Sequence, residues 1–267
     1  MILDGKAIAE DMYVDLAPCY AMLGTCVRLG IVVVGNDPVI ESFVRIKSRS
    51  AARLGVDVVR VNLSDKVQTT EVIAEIETLS RVANGIIVQL PLPVPIDTNA
   101  VLSAIPPEKD VDAINPRIAD EDRRVRAPVA LAVVELLARG SVDPRDKRVI
   151  VAGSGRLVGA PAASLLASLG ARVSFFTRTE GSIDDLKNAD IIVLGMGDPA
   201  FIKPEHLKEG VALIDAATSE QAGKVVGDAD PACASKTSLF TPVPGGVGPV
   251  AVAMIFKNLL VLAQCAS

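Results

Sequence analysis

Phe43 stands four residues ahead of Lys47 in the run DPVIESFVRIKSRSAARLG, which reads as an amphipathic helix closed by glycine. At that spacing the ring and the ammonium stack on one helix face, one turn apart. These residues leave two readings open: an ordinary solvated lysine, or a lysine held beside a ring system to move a proton. The single histidine, His206 in KPEHLKEG, sharpens the question. One histidine removes the usual serine and cysteine triads and His-rich zinc sites. His206 itself reads as a surface helix end, so any acid–base chemistry must run through Lys, Asp, Glu or Tyr.

A second cluster is suited to phosphate. In VIVAGSGRLVGAP, Gly153, Gly155 and Gly159 fall between a strand and a helix, with Ser154, Arg156 and Val158 among them. Small residues let the backbone approach a pyrophosphate, and a helix N-terminus offers free N–H groups. The strand–turn–helix context points to a dinucleotide site rather than a plain tight turn. The next strand ends in FFTRT, where many NAD-binding domains carry an acid for the ribose. Thr177, Arg178 and Thr179 stand there instead. Arg178 either faces solvent or holds a 2′-phosphate, which favours NADP over NAD.

These residues require a scaffold of alternating strands and helices. The segments RLGIVVVGN, VDVVRVNLS and NGIIVQLPLP read as strands separated by helices, and a second series runs from KRVIVAG to GVALIDAAT. SIDDLKNA reads as a helix within that second series. Repeated β-α-β implies parallel sheets covered by helices, hence an α/β chain of two domains. The charged, proline-rich stretch IPPEKDVDAINPRIADEDRRVRAP breaks the pattern and marks the junction. The length of 267 residues suits two modest domains.

With a net charge of −5, no basic stripe, no tryptophan and two tyrosines, nucleic acid is not an expected partner. The N-terminus lacks the apolar core of a signal peptide, and apolar runs such as ADIIVLGMG are strand-length, so no membrane association is expected. Cys19, Cys26, Cys233 and Cys265 show no paired metal spacing, which fits free thiols in the cytoplasm and no metal site.

Four motifs in order, GIIVQLPLP, PPEKDVDAINP, GSGRLVGAP and TPVPGGVGP, resemble the methylenetetrahydrofolate dehydrogenase/methenyltetrahydrofolate cyclohydrolase family, known in bacteria as FolD. The resemblance covers nearly the whole chain. It implies a folate-binding catalytic domain, residues 1–117 and 249–267, with a parallel sheet completed by the C-terminal helix. A Rossmann-type NAD(P)-binding domain would occupy residues 118–248. It further implies a homodimer acting on tetrahydrofolate-borne one-carbon units. Lys47 falls on the family's catalytic lysine, Gln89 on the glutamine of its QLPLP and Asp112 on the second acid of its DVD. Phe43 replaces the tyrosine that packs on the pterin, and keeps the ring while losing the hydroxyl. Pro244, Gly245 and Gly246 of the PGG turn would touch substrate. Gly153, Ser154, Gly155, Arg156, Val158, Gly159, Thr177 and Arg178 would hold the cofactor.

The chain departs from the family at Gly153-Ser154-Gly155-Arg156 and at Ala127-Pro128-Val129-Ala130. It departs again along Leu213–Ser219 and at Val250-Ala251. All of these belong to the cofactor side. The expected activity is NADP-dependent oxidation of 5,10-methylenetetrahydrofolate, followed by hydrolysis of the methenyl product to 10-formyltetrahydrofolate. The departures leave two alternatives: a monofunctional cyclohydrolase with a degraded nucleotide site, and a non-catalytic folate-binding paralogue.

Overall fold

The structure, a computed structural model, describes residues 1–221 and 224–265. The helices are α1 (Gly5–Met22), α2 (Pro38–Arg53), α3 (Thr69–Ser80), α4 (Thr98–Ser103), α5 (Pro128–Arg139), α6 (Gly159–Ser168) and α7 (Val247–Gln264). The strands are β1 (Arg28–Val34), β2 (Asp57–Leu63), β3 (Gly85–Val88), β4 (Arg148–Ala152), β5 (Arg172–Phe176), β6 (Ile191–Leu194), β7 (Val211–Asp215), β8 (Ser219–Gln221), β9 (Lys224–Val226) and β10 (Thr237–Phe240). They form two compact units, Asp11–Pro128 with Ile255–Ser267, and Met1–Glu10 with Val129–Met254.

The resemblance implies divisions at 117/118 and 248/249; two sets of contacts account for where the junction segment and the N-terminus fall in these two units. Arg123 reaches back to Asp110 and to the Asn115 carbonyl, which ties the junction segment to the unit before it. At the other end, Met1–Leu3 pairs with Phe240 of β10, which ties the N-terminus to the unit containing that strand.

In the first unit three parallel strands run in the order β2-β1-β3. β1 and β3 are almost wholly buried, as a parallel sheet with covered faces demands. Val32, Val34, Ile86 and Val88 join Val72, Ile76 and Leu79 of α3 in one apolar core. α2 starts where Asp37 accepts hydrogen bonds from the backbone N–H groups of Val39 and Ile40, with Pro38 in its first turn. It stops at Gly55, whose φ of +69° suits a residue without a side chain.

The second unit is a five-stranded parallel sheet in the order β10-β7-β6-β4-β5. The chain moves from β4 outward to β5 and then returns to the other side of β4 as β6. The carboxyl ends of β4 and β6 therefore form the crevice at which open α/β sheets bind ligands. A small antiparallel pair, β8–β9, lies outside this sheet. SIDDLKNA, expected as a helix, is a 3-10 segment from Ile183 to Asn188. Its two acids fit a capped turn: Ser182 and Asp185 cap each other reciprocally at its start. α7 is long and apolar enough to cross a membrane by length and composition, but 61% of it is buried inside the protein, as in a core helix.

Candidate active site

Lys47 is not the solvated lysine that its position on an open helix would allow. The buried residues of α2 are Ile40, Val44 and Ala51, and Lys47 falls on the same stripe, seven residues after Ile40 and four before Ala51. Its Nζ donates to Oε1 of Gln89 at 2.6 Å. Gln89 follows β3, where its N–H donates to the Val32 carbonyl at 2.9 Å, and only 9% of it is exposed. Its Nε2 donates to the Leu90 carbonyl, so both ends of the amide are engaged. The ring of Phe43, one turn earlier on α2, is 36% exposed and free to serve as a stacking face.

Asp112 faces this pair electrostatically. Burial pushes its carboxyl up to about 6; the Lys47 charge pulls it down and Asp110 pushes it further up. Burial holds the Lys47 ammonium below the usual lysine range, and the Asp112 charge partly offsets that. The group is therefore a lysine whose charged form burial disfavours, oriented by an amide, beside a carboxyl that burial raises to about 6. Such a trio can pass a proton and accept paired N–H donors.

Two supporting residues escaped the sequence reading. Asp110, the first acid of KDVD, is buried and accepts from the N–H groups of Ile114 and Asn115 at 2.8 Å each. Asn258 of α7 donates to the carbonyls of Val111 and Arg126 at 2.9 and 2.8 Å. A lone amide in the apolar run VAVAMIFKNLLVLAQ was the available signal, since a buried amide must find partners.

In the other unit, β4 runs into the glycine turn. Gly153 has φ +93° and donates its N–H to the Phe176 carbonyl at 2.9 Å. A Cβ on it would come within 2.5 Å of the Gly195 carbonyl oxygen, after β6. A Cβ on Gly159 would overlap the Gly153 carbonyl itself. A Cβ on Gly155 would meet none of the described residues beyond its chain neighbours within 4 Å, which leaves room for a ligand. Ser154, Gly155 and Arg156 are exposed. Val158 fills the space beside Gly195 that a side chain there would need. Among the described residues no side chain caps the start of α6.

After β5 the Thr177 hydroxyl accepts from the N–H groups of Thr179 and Glu180, which shapes a turn with Arg178 at its exposed tip. Arg178 makes no ion pair among the described residues. A glycine-walled turn, an uncapped helix start and an exposed cation fit a phosphorylated dinucleotide. A third missed residue serves this end of the sheet. The buried carboxylate of Asp228 accepts from Met196, Gly197 and Asp198, which fixes the loop after β6.

The PGG turn lies in this second unit as well. The Val243–Pro244 bond is cis, Gly245 has φ +107°, and Gly246 donates to the Pro242 carbonyl at 2.7 Å. A Cβ on Gly5 would overlap the Gly246 carbonyl, so the turn packs directly on the start of α1. The structure thus joins Lys47, Gln89 and Asp112 in one unit. It groups the glycine turn, Thr177 and Arg178 in the other.

Comparison with known proteins agrees with this division. Residues 3–112 match the model of the tetrahydrofolate dehydrogenase/cyclohydrolase catalytic domain, and residues 127–267 that of its NAD(P)-binding domain. The bifunctional protein FolD of Methanoculleus marisnigri is 36% identical over 97% of this chain and 94% of its own length. Its namesake from Staphylococcus aureus is 34% identical over 97% of this chain and 95% of its own. Among solved structures, the Trypanosoma brucei methylenetetrahydrofolate dehydrogenase-cyclohydrolase, complexed with NADP cofactor and inhibitor, superposes with a TM-score of 0.94. It is 32% identical and covers 100% of this chain and 98% of its own. The Campylobacter jejuni enzyme reaches the same TM-score at 29% identity, covering 100% of this chain and 99% of its own. Motifs, sheet order and these matches agree: the chain belongs to the tetrahydrofolate dehydrogenase/cyclohydrolase family.

Proposed function

We propose that this chain oxidises 5,10-methylenetetrahydrofolate to the 5,10-methenyl form with NADP and hydrolyses that product to 10-formyltetrahydrofolate. The observation that carries the reading is the half-buried Lys47–Gln89 pair with Asp112 beside it. A folate-binding fold does not by itself need a lysine drawn into the protein, so this trio also speaks against a non-catalytic paralogue. The glycine turn keeps its close approaches at Gly153 and Gly159, which favours the bifunctional enzyme over a cyclohydrolase with a degraded nucleotide site.

In the first step a hydride leaves the methylene bridge, and the adjacent nitrogen lone pair stabilises the cation that forms. NADP, when bound, supplies the hydride acceptor. The chain's contribution to this step is positioning. Phe43 offers its ring to the pterin, and Asp112 accepts the pterin's amino and ring N–H groups. Ser154, Gly155, Arg156 and Val158 shape the phosphate turn.

In the second step neutral Lys47 accepts a proton as water adds to the methenyl carbon. The resulting ammonium protonates the departing ring nitrogen as its bond to that carbon breaks. The hydroxyl proton leaves as the formyl C=O forms, and one proton is released overall. The cationic substrate further disfavours a charged lysine nearby, and Gln89 keeps the Nζ lone pair oriented.

In the same reading residues 1–117 with 249–267 carry the folate chemistry and 118–248 the nucleotide. The enzyme is a cytoplasmic homodimer; support comes from β2, which lies at the edge of its sheet with its side chains half-buried or exposed, and from the four free cysteines.

Initial rates with 5,10-methylenetetrahydrofolate test the reading, comparing NADP with NAD and following reduced nicotinamide and folate product together. Reduction with NADP preferred is the expected result; no reduction with either cofactor contradicts it. Arg178→Ser should raise the KM for NADP roughly tenfold or more, the loss of one charge-assisted phosphate contact, and leave NAD kinetics unchanged. An equal effect on both cofactors would remove Arg178 from the 2′-phosphate.

A pH dependence follows from Asp112. Its ionised form is the one that accepts paired N–H donors, and its carboxyl titrates at about 6. The kcat/KM for methylenetetrahydrofolate oxidation, a step in which Lys47 takes up no proton, should therefore rise through that pH from the acid side and then level off. Asp112→Asn should lower kcat/KM and abolish this acid limb. An unchanged limb in the variant would assign it to another group.

A further inference from the structure

Asp112, on which the proposed function relies, makes no hydrogen bond of its own among the described residues. Its place is therefore set by the backbone of its loop, and that backbone is held from two sides. On one side, Asp110 Oδ2 accepts from the N–H groups of Ile114 and Asn115, closing residues 110–115 into a ring. Asp110 also bridges to Ile86 of β3, three residues before Gln89. Arg123 spans the closure, with Nη1 3.5 Å from Asp110 Oδ2 and Nη2 donating to the Asn115 carbonyl at 2.7 Å. On the other side, Asn258 donates to the carbonyl of Val111, the residue just before Asp112. Gly85 allows the close fit: a Cβ there would overlap Val111 and come within 2.7 Å of Leu259, the neighbour of Asn258. Ala113, just after Asp112, has a left-handed φ of +52°, a conformation that a free loop would relax.

We propose that Asp110 and Asn258 are positioning residues that together pin the 110–115 loop and so fix the Asp112 carboxylate against Lys47. The inference rests on the reading of Asp112 as the substrate clamp. Asp110 has a second action, through charge. It is 3% exposed, and its Oδ1 has no hydrogen-bond partner among the described residues. The charged groups acting on Asp112 are Lys47 from α2 and Asp110 from its own loop, while Arg123 acts on Asp110.

The test uses the full chain labelled with carboxyl-¹³C aspartate, with Asp112→Asn assigning the Asp112 signal. In Asp110→Asn an amide oxygen can still accept from Ile114 and Asn115, but the charge is gone, so the Asp112 midpoint should move to lower pH. The acid limb of kcat/KM should move with it. Asn258→Ala releases the Val111 carbonyl and should lower the kcat of methenyl hydrolysis roughly tenfold while the folate KM changes less. If Asp112 titrates identically in wild type and both variants, the proposal is overturned. It is equally overturned if the variants lose only Tm and hydrolyse normally when folded. A wild type that hydrolyses no methenyltetrahydrofolate would instead refute the proposed function, and the aspartate titration would still decide the positioning.

Discussion

Lys47→Met should lower methenyltetrahydrofolate hydrolysis by roughly 10²–10⁴-fold, the usual contribution of a positioned general base, while oxidation of methylenetetrahydrofolate with NADP is retained. The asymmetry follows from the chemistry. Water addition and ring opening move protons; hydride loss beside a nitrogen lone pair needs placement more than acid–base help. Methionine keeps an unbranched stem of similar length, so the α2 stripe of Ile40, Val44 and Ala51 remains packed. Removing the half-buried amine also relieves desolvation, while leaving Gln89 Oε1 without its donor costs about 1–3 kcal/mol. Thermal stability should therefore change little. Lys47→Arg separates base from charge. A guanidinium stays protonated and cannot accept the proton, so it should be as inactive in hydrolysis as methionine. Hydrolysis restored by arginine would mean that Lys47 acts through positive charge alone.

The opposite dissociation is expected at the glycine turn. In Gly159→Ala the new methyl group overlaps the Gly153 carbonyl and approaches the Cα of Ser154 at 3.1 Å. All of these are backbone atoms, so no side chain can rotate away. The turn must open or α6 must shift, at a cost of about 1–3 kcal/mol, which lowers Tm by several degrees in a chain of this size. The same shift moves the N–H groups aimed at the pyrophosphate, so the KM for NADP should rise about tenfold or more. Hydrolysis of supplied methenyltetrahydrofolate should persist, because Lys47, Gln89 and Asp112 belong to the other unit. A variant with unchanged NADP kinetics would detach the turn from cofactor binding. Loss of both activities in a folded variant would contradict the division of labour between the units.

Much of this architecture was legible in the sequence because it is local. β1, β3, β4 and β6 are short apolar runs bounded by glycine or proline, and α2 carries its cap, its first-turn proline and its closing glycine in sequence. Other elements lacked a local signal. α1 contains Pro18 and went unassigned. β8 and β9 have three residues each, too few to show a period. β10 is four residues long and is defined by distant partners, Val211–Leu213 in β7 and the N-terminal Met1–Leu3 segment.

The candidate site divides in the same way. Lys47, Gln89 and Asp112 were found through motifs, yet the solvated alternative for Lys47 could have been rejected from spacing alone, since positions 40, 44, 47 and 51 fall on one helical stripe. Asn258 was hidden because its bonds reach backbone carbonyls 147 and 132 positions away, and Asp110 because KDVD does not say which acid turns in to the N–H groups of its own loop.

The most direct test of the account is the titration of Lys47 itself, by NMR of the ¹⁵N-labelled side-chain amine in wild type, with Lys47→Met assigning the signal. The account predicts that the ammonium gives up its proton below the usual lysine range, and that it does so at still lower pH when the Asp112 charge is removed in Asp112→Asn. A Lys47 that titrates like an exposed lysine in both proteins would contradict it, because such a lysine would carry its proton throughout the reaction and could not accept one from water.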